Sequence, residues 1–209
     1  MEVYFVRHGE TDGNVARRHQ HPETELNEAG KRQVTTVAYR IADLCPTHVI
    51  TSTQLRAVQS SKIIAEYCEG VIPDTHPAFE ELQAPRWLVG HRFVGLTTAL
   101  YVWRWFWGKY IEGGETYREF LSRIRAARTH LEAMPEEARV VVVSHAVFTN
   151  IFLEHLCSDE PMSLWRAVLR FWHILRIRNA AMIHLRYTKS PKGVCGWHFV
   201  EAMEVIEKI

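Results

Sequence analysis

Residues 1–14, Met-Glu-Val-Tyr-Phe-Val-Arg-His-Gly-Glu-Thr-Asp-Gly-Asn, carry the reading that decides the fold. Val3 to Val6 are apolar, β-branched or aromatic, and stop at a glycine-containing turn, the mark of a short buried strand. Arg7 and His8 follow at its carboxyl end. An arginine offers a rigid fork of donors suited to phosphoryl oxygens, and a neutral imidazole beside it can act as a nucleophile. Gly9 lets the backbone turn close to a ligand.

Further along, the same grammar repeats. His48–Thr51 reads as a second strand and Arg139–Val143 as a third, the latter apolar on both faces as in a central parallel strand. Val34, Val37 and Ile41 recur at helical spacing, as do Leu55, Val58 and Ile63, and again Tyr117, Phe120, Leu121, Ile124 and Leu131. A further helix carries Ile151, Phe152 and Leu156. The segments 181–187 and 197–205 alternate like strands completing the sheet. Strands alternating with helices predict an α/β, three-layer fold with a mostly parallel central sheet and helices on both faces. We expect one domain over residues 1–209, with a cap-like, aromatic-rich helical insert at about 83–112.

In such a sheet, sites collect at the carboxyl ends of strands, so His8 and His145 can meet despite their separation. The run R-H-G-x-T-x-x-N over residues 7–14 resembles the signature of the histidine phosphatase (phosphoglycerate mutase-like) superfamily. Thr51–Ser60 is similar to its S-x-x-x-R-A-x-Q element, Phe79–Leu82 to its L-x-E-[IL] segment, and Ser144-His145-Ala146 to its S-H-G. Leu26–Gly30 with Gln33, Gly113–Thr116, Asn179–Met182 and Gly196–Val200 extend the likeness to nearly everything outside 83–112.

The resemblance implies His8 as the phosphorylated nucleophile, with Arg7, Arg56 and His145 against the phosphoryl charge. Asn14, Gly9, Thr11 and Ala146 would contribute to the phosphate-binding loop. Glu81 aligns with the proton donor, and Glu80 would take that place if the register slipped by one. Ala146 departs from the family's glycine. Gln20 and Glu23 stand where a glycine and an aspartate are usual.

The implied activity is metal-independent hydrolysis of a small-molecule phosphate ester through a phosphohistidine, with no cofactor. Phosphoglycerate mutase-type transfer and protein dephosphorylation are the alternatives. The mutase reading is disfavoured because Glu81 is followed by Leu82-Gln83-Ala84-Pro85 rather than a basic stretch. A binding-only relative would be expected to lose a histidine or arginine that this chain keeps.

Composition narrows the partners. Charged residues are 23% of the chain and its net charge is +1, with no polybasic block for nucleic acid. The 15-residue stretch Phe93–Trp107 contains Arg104 and is shorter than the roughly 20 residues a transmembrane helix needs. The four cysteines form no C-x-x-C, and no secretory signal precedes the first strand, so we expect reduced thiols and a cytoplasmic location. His19 and His21 form an H-x-H without the further ligands a metal needs. The insert's aromatics suit a packed cap, a pocket lining that favours an apolar or aromatic leaving group, a homodimer contact or a membrane-surface contact.

Overall fold

A computed structural model of the chain describes residues 1–163, 165–167, 170, 177–191 and 194–203. Its centre is a six-stranded sheet built from β1 (Glu2–Arg7), β2 (His48–Thr51), β3 (Pro73–Thr75), β4 (Arg139–Ser144), β5 (Met182–Tyr187) and β6 (Trp197–Met203), in the order β3-β2-β4-β1-β5-β6. The pairings β3/β2, β2/β4 and β4/β1 are parallel, whereas β1/β5 and β5/β6 are antiparallel. The sheet is thus mostly parallel, as expected, with β5 reversed and β6, antiparallel to it, running the same way as β1. Of the predicted last strand, residues 204–205 lie outside the described residues.

The valine run of β4 explains its own position. Val140 and Val142 point into one core cluster and Val141 and Val143 into the other, all fully buried. A strand covered on both faces has no polar side to show, hence the unbroken apolar run. One face is covered by α2 (Glu28–Asp43) and α3 (Leu55–Glu66), whose buried residues Val34, Val37, Ile41 and Ile64 meet Tyr4 and Val6. On the other face α5 (Tyr117–Glu132) and α6 (Ala146–Glu154) bring Phe120, Ile124, Phe148 and Phe152 against Val3 and Phe5.

Two short devices fix where the loop after β1 sits. The single turn α1 (Asp12–Val15) is opened by a capping box between Thr11 and Asn14. Helix α2 begins at Asn27, whose side chain accepts from the Gly30 N–H at 2.8 Å. Here the backbones nearly touch: a Cβ on Gly30 would lie 2.1 Å from the Glu10 carbonyl oxygen, and one on Gly9 2.4 Å from that of Gly30. The glycine of the Leu26–Gly30 motif is therefore required by close approach.

The segment between Gln83 and Glu112 holds a 3-10 turn (Arg86–Leu88) and one helix, α4 (Leu96–Phe106). Leu88, Tyr101, Trp105 and Ile111 from it join the core, while Trp87, Trp103, Trp107 and Tyr110 are exposed. Its leading loop is zipped to the segment after α1. His19 N donates to His91 O at 2.9 Å, Gly90 N to His19 O at 2.9 Å, and Phe93 N to Arg17 O at 2.9 Å. Arg18 and Arg92 form the bridge between them.

The cysteine expectation is corrected for two of the four residues. Cys157, just past α6, and Cys195, just before β6, form a disulfide with their Cα atoms 5.3 Å apart. They are 38 positions apart and meet only through the fold, so linear spacing did not reveal them. Cys45 and Cys68 are free. Cysteine usage accordingly no longer argues for a reducing compartment. Among the described residues no helix is long and apolar enough to cross a membrane.

Candidate active site

The ends of β1, β2 and β4 deliver the principal side chains to one crevice. His8 leaves β1 with its backbone N–H bonded to Ser144 O at 3.0 Å, which ties it to the end of β4. Its Nδ1 lies 2.7 Å from its neighbour's carbonyl, Gly9 O. That contact demands a proton on Nδ1, so Nε2 carries the lone pair. Arg56 Nε donates to this Nε2 at 3.2 Å. Burial, then the charges of Arg56 and Arg7, hold His8 well below the ordinary histidine value. The ring is neutral, with its reactive nitrogen on the cavity side.

Arg56 sits in the first turn of α3 and is only 5% exposed. Its other donors reach His21 O at 3.2 Å and the Gln54 side-chain oxygen. Arg7 donates to Ile177 O, and its Nε is buried with no partner among the described residues. Burial pushes both guanidinium groups down to about 10, with the nearby Glu81 carboxylate opposing the shift. Both remain charged at neutral pH. Two buried cations with spare donors are suited to a dense anion.

His145 packs behind His8, with ring centroids 5.1 Å apart. Its Nε2 is 2.8 Å from Ser52 Oγ, and its Nδ1 is buried with no partner among the described residues. Burial, then Arg56 and His8, keep it well below the usual value. His145 is therefore neutral, able to donate a hydrogen bond from one ring nitrogen.

The acid loop is clamped from below. The Glu81 carboxylate accepts from the backbone N–H groups of Val147 at 3.2 Å and Phe148 at 2.9 Å, so it caps the start of α6 next to His145. Glu80 instead accepts from the Thr53 hydroxyl and from Gln83 Nε2 at 2.8 Å. Both carboxylates line the cavity. Arg123 of α5 donates to the Glu80 and Glu81 carbonyls and pairs with Glu115, which in turn accepts from Gln83 N at 2.7 Å. Ser144 Oγ donates to Phe79 O at 2.7 Å, fastening the same loop to β4.

Of the residues expected at the site, Arg7, His8, Asn14, Arg56, Glu81 and Ala146 line a cavity of about 1120 Å³. His145 stands just behind its wall. Gly9 and Thr11 are not in the lining. Gly9 N donates to Ser60 Oγ at 3.1 Å, and Thr11 is fully buried as the cap of α1. Asn14 Oδ1 is taken by Thr11 and by Asn179 Nδ2 at 2.9 Å, leaving its amide N–H groups for the cavity. Gln20, the departure from the family pattern, bonds Thr11 Oγ1 at 2.6 Å and packs over Gly13.

Sequence reasoning missed Ser52, Gln54, Glu115, Arg123 and Asn179 as supports. Four of them lie inside motifs already quoted; Arg123 had only its helical position to mark it. Among the described residues, no group of three or more His, Cys, Asp or Glu side chains is arranged to hold a metal ion.

Residues 3–198 match the model of the family described as the histidine phosphatase superfamily (branch 1). A Proteus mirabilis protein named "Probable phosphoglycerate mutase GpmB" is 33% identical over 215 aligned positions, spanning 98% of this chain and 94% of its own length. The protein of the same name in Yersinia enterocolitica is 32% identical over 203, covering 94% and 90%. Among solved structures, a mycobacterial glucosyl-3-phosphoglycerate phosphatase superposes with a TM-score of 0.73 at 22% identity, covering 95% of this chain and 96% of that one. A phosphoserine phosphatase from Entamoeba histolytica gives 0.73 at 18% identity, covering 96% and 95%. At those identities the two structures speak for the fold alone.

Proposed function

The chain belongs to the histidine phosphatase superfamily (branch 1), and on that premise we propose that it is a metal-independent phosphomonoesterase working through a phosphohistidine on His8. The observation that carries the reading is the His8 ring itself: neutral, oriented by Gly9 O, and presenting Nε2 between buried arginines. In the first step Nε2 attacks phosphorus and the bond to the ester oxygen breaks. Arg56 turns its N–H from the histidine onto a phosphoryl oxygen, and Arg7, Asn14 and the neutral His145 hold the others. Phosphoryl transfer is dominated by positioning and electrostatics, which these groups supply without a metal.

The leaving oxygen needs a proton, and Glu81, already beside the reacting centre, is the donor we assign. In the second step the same carboxylate accepts a proton from the water that attacks the phosphohistidine, and phosphate leaves.

A second reading, return of the phosphoryl group to a sugar acid, draws support from the names of the curated relatives. The discriminating assay is phosphate release in chelator from a panel of phosphorylated metabolites and one aryl phosphate, with His8→Ala as control. Parallel incubation with phosphoglycerate tests isomerisation. Release that vanishes in the variant supports the hydrolase; isomerisation without release replaces it with the mutase.

A further inference from the structure

The cavity is much larger than its polar end requires. Arg7, His8, Asn14 and Arg56 occupy one side of a space of about 1120 Å³, above the roughly 300–1,000 Å³ that encloses drug-sized ligands. Beyond them the lining includes Phe93, Val102, Trp103 and Phe106 from the insert and Ile151 and Met162 from the body of the protein, with His19, Gln83 and Thr98 among its polar members. Ile151 and Met162 are otherwise core residues, so the cavity cuts into the apolar interior.

Among the described residues of that side, charge is scarce. Arg170 is held by Glu154, with Nε to Oε2 at 2.6 Å, and Arg86 is exposed. A short phosphorylated acid would leave most of this volume as water against apolar walls, forgoing the contribution that burying apolar surface makes.

We propose that the ligand is a phosphate monoester of an alcohol with a long or polycyclic apolar body, laid along the inner wall of α4 with its phosphoryl group at His8. The proposal rests on the phosphatase reading for its reactive end, but its recognition element is separate. The apolar body contributes binding that a catalytic histidine cannot, and each buried methylene is worth about fourfold in affinity.

The test is calorimetric binding of two non-hydrolysable probes, ethylphosphonate and octylphosphonate, to the intact protein. Octylphosphonate is expected to bind at least 100-fold more tightly. Val102→Asp, checked for folding by circular dichroism, should shrink that ratio below about tenfold. Equal affinity for the two probes in the unaltered protein overturns the proposal, as does a ratio untouched in folded Val102→Asp. Turnover of octyl phosphate is scored separately. Tight octylphosphonate binding without turnover removes the phosphatase reading and leaves the apolar subsite standing, while turnover with flat binding does the reverse.

Discussion

Arg56 Nε donates to His8 Nε2 across 3.2 Å, so the proposed nucleophilic nitrogen and the cation proposed to stabilise the transferring phosphoryl group are in direct contact. Arg56→Ala is therefore expected to lower kcat for phosphate release by about 10²–10³, the usual loss when one transition-state donor is removed. Arg56→Lys should recover little, because an ammonium cannot serve His8, Gln54 and a phosphoryl oxygen from one planar fork. Steady-state kinetics on the best panel substrate decides it; a kcat within threefold of the parent would count against Arg56.

The depressed histidines set a pH pattern. Because burial and the charges of Arg56 and Arg7 hold the folded-state value of His8 well below the ordinary one, the proposed nucleophile stays neutral where a free imidazole is already taking up a proton. The acid limb of kcat/KM, measured across a pH series, should therefore lie below the ordinary histidine value of about 6.5 rather than at it.

Stability should decline in acid as well. As pH falls below about 6.5 the unfolded chain takes up protons that buried His8 and His145 refuse, so stability is full above that value and declines beneath it. The slope is roughly 1.4 kcal/mol per pH unit for each such group. His19, pushed down to about 4 by burial, adds in the same direction. Urea unfolding at pH 7.5 and 5.5 measures the difference, and equal midpoints would contradict the assignment.

Arg123 and Glu115 hold the acid loop by its backbone. Arg123→Ala leaves Glu115 buried at 8% exposure without its partner and should cost about 3–5 kcal/mol of stability. The double variant Arg123→Met with Glu115→Gln should regain much of that stability yet keep a kcat deficit, since the Glu80 and Glu81 carbonyls lose their common donor. Thermal unfolding and kinetics on both variants separate the two effects.

The disulfide is directly countable. Thiol titration of the denatured, unreduced protein should find Cys45 and Cys68 but not Cys157 and Cys195. Closing a loop of 38 residues corresponds to about 4 kcal/mol in the chain-entropy account, so reductant should lower stability by about 2–4 kcal/mol. Four reactive thiols would refute the bond.

What could be read in advance followed physical locality. β1, β4 and the turn after each are short-range patterns, so Arg7, His8 and His145 announced themselves from strand ends and neighbours. Glu81 was legible from its motif, but its grip on Val147 and Phe148 needed the two segments to be side by side. Thr11 illustrates the limit: its place in the signature suggests ligand contact, whereas it serves as the cap that shapes the loop. The Cys157–Cys195 pair and the zipper at Arg17–His19 join residues distant in sequence, and no local periodicity encodes either.

That zipper ties two walls of the cavity into one unit. Residues 17–19 and 90–93 exchange main-chain hydrogen bonds, and His19 Nε2 also lies 3.0 Å from Thr98 Oγ1 on α4. A transplant of the insert into a relative would arrive without its mate unless residues 15–21 travelled with it. Selection for a new ligand must for the same reason find compatible changes in both stretches, since lengthening either one slips the register that lets them close over the cavity.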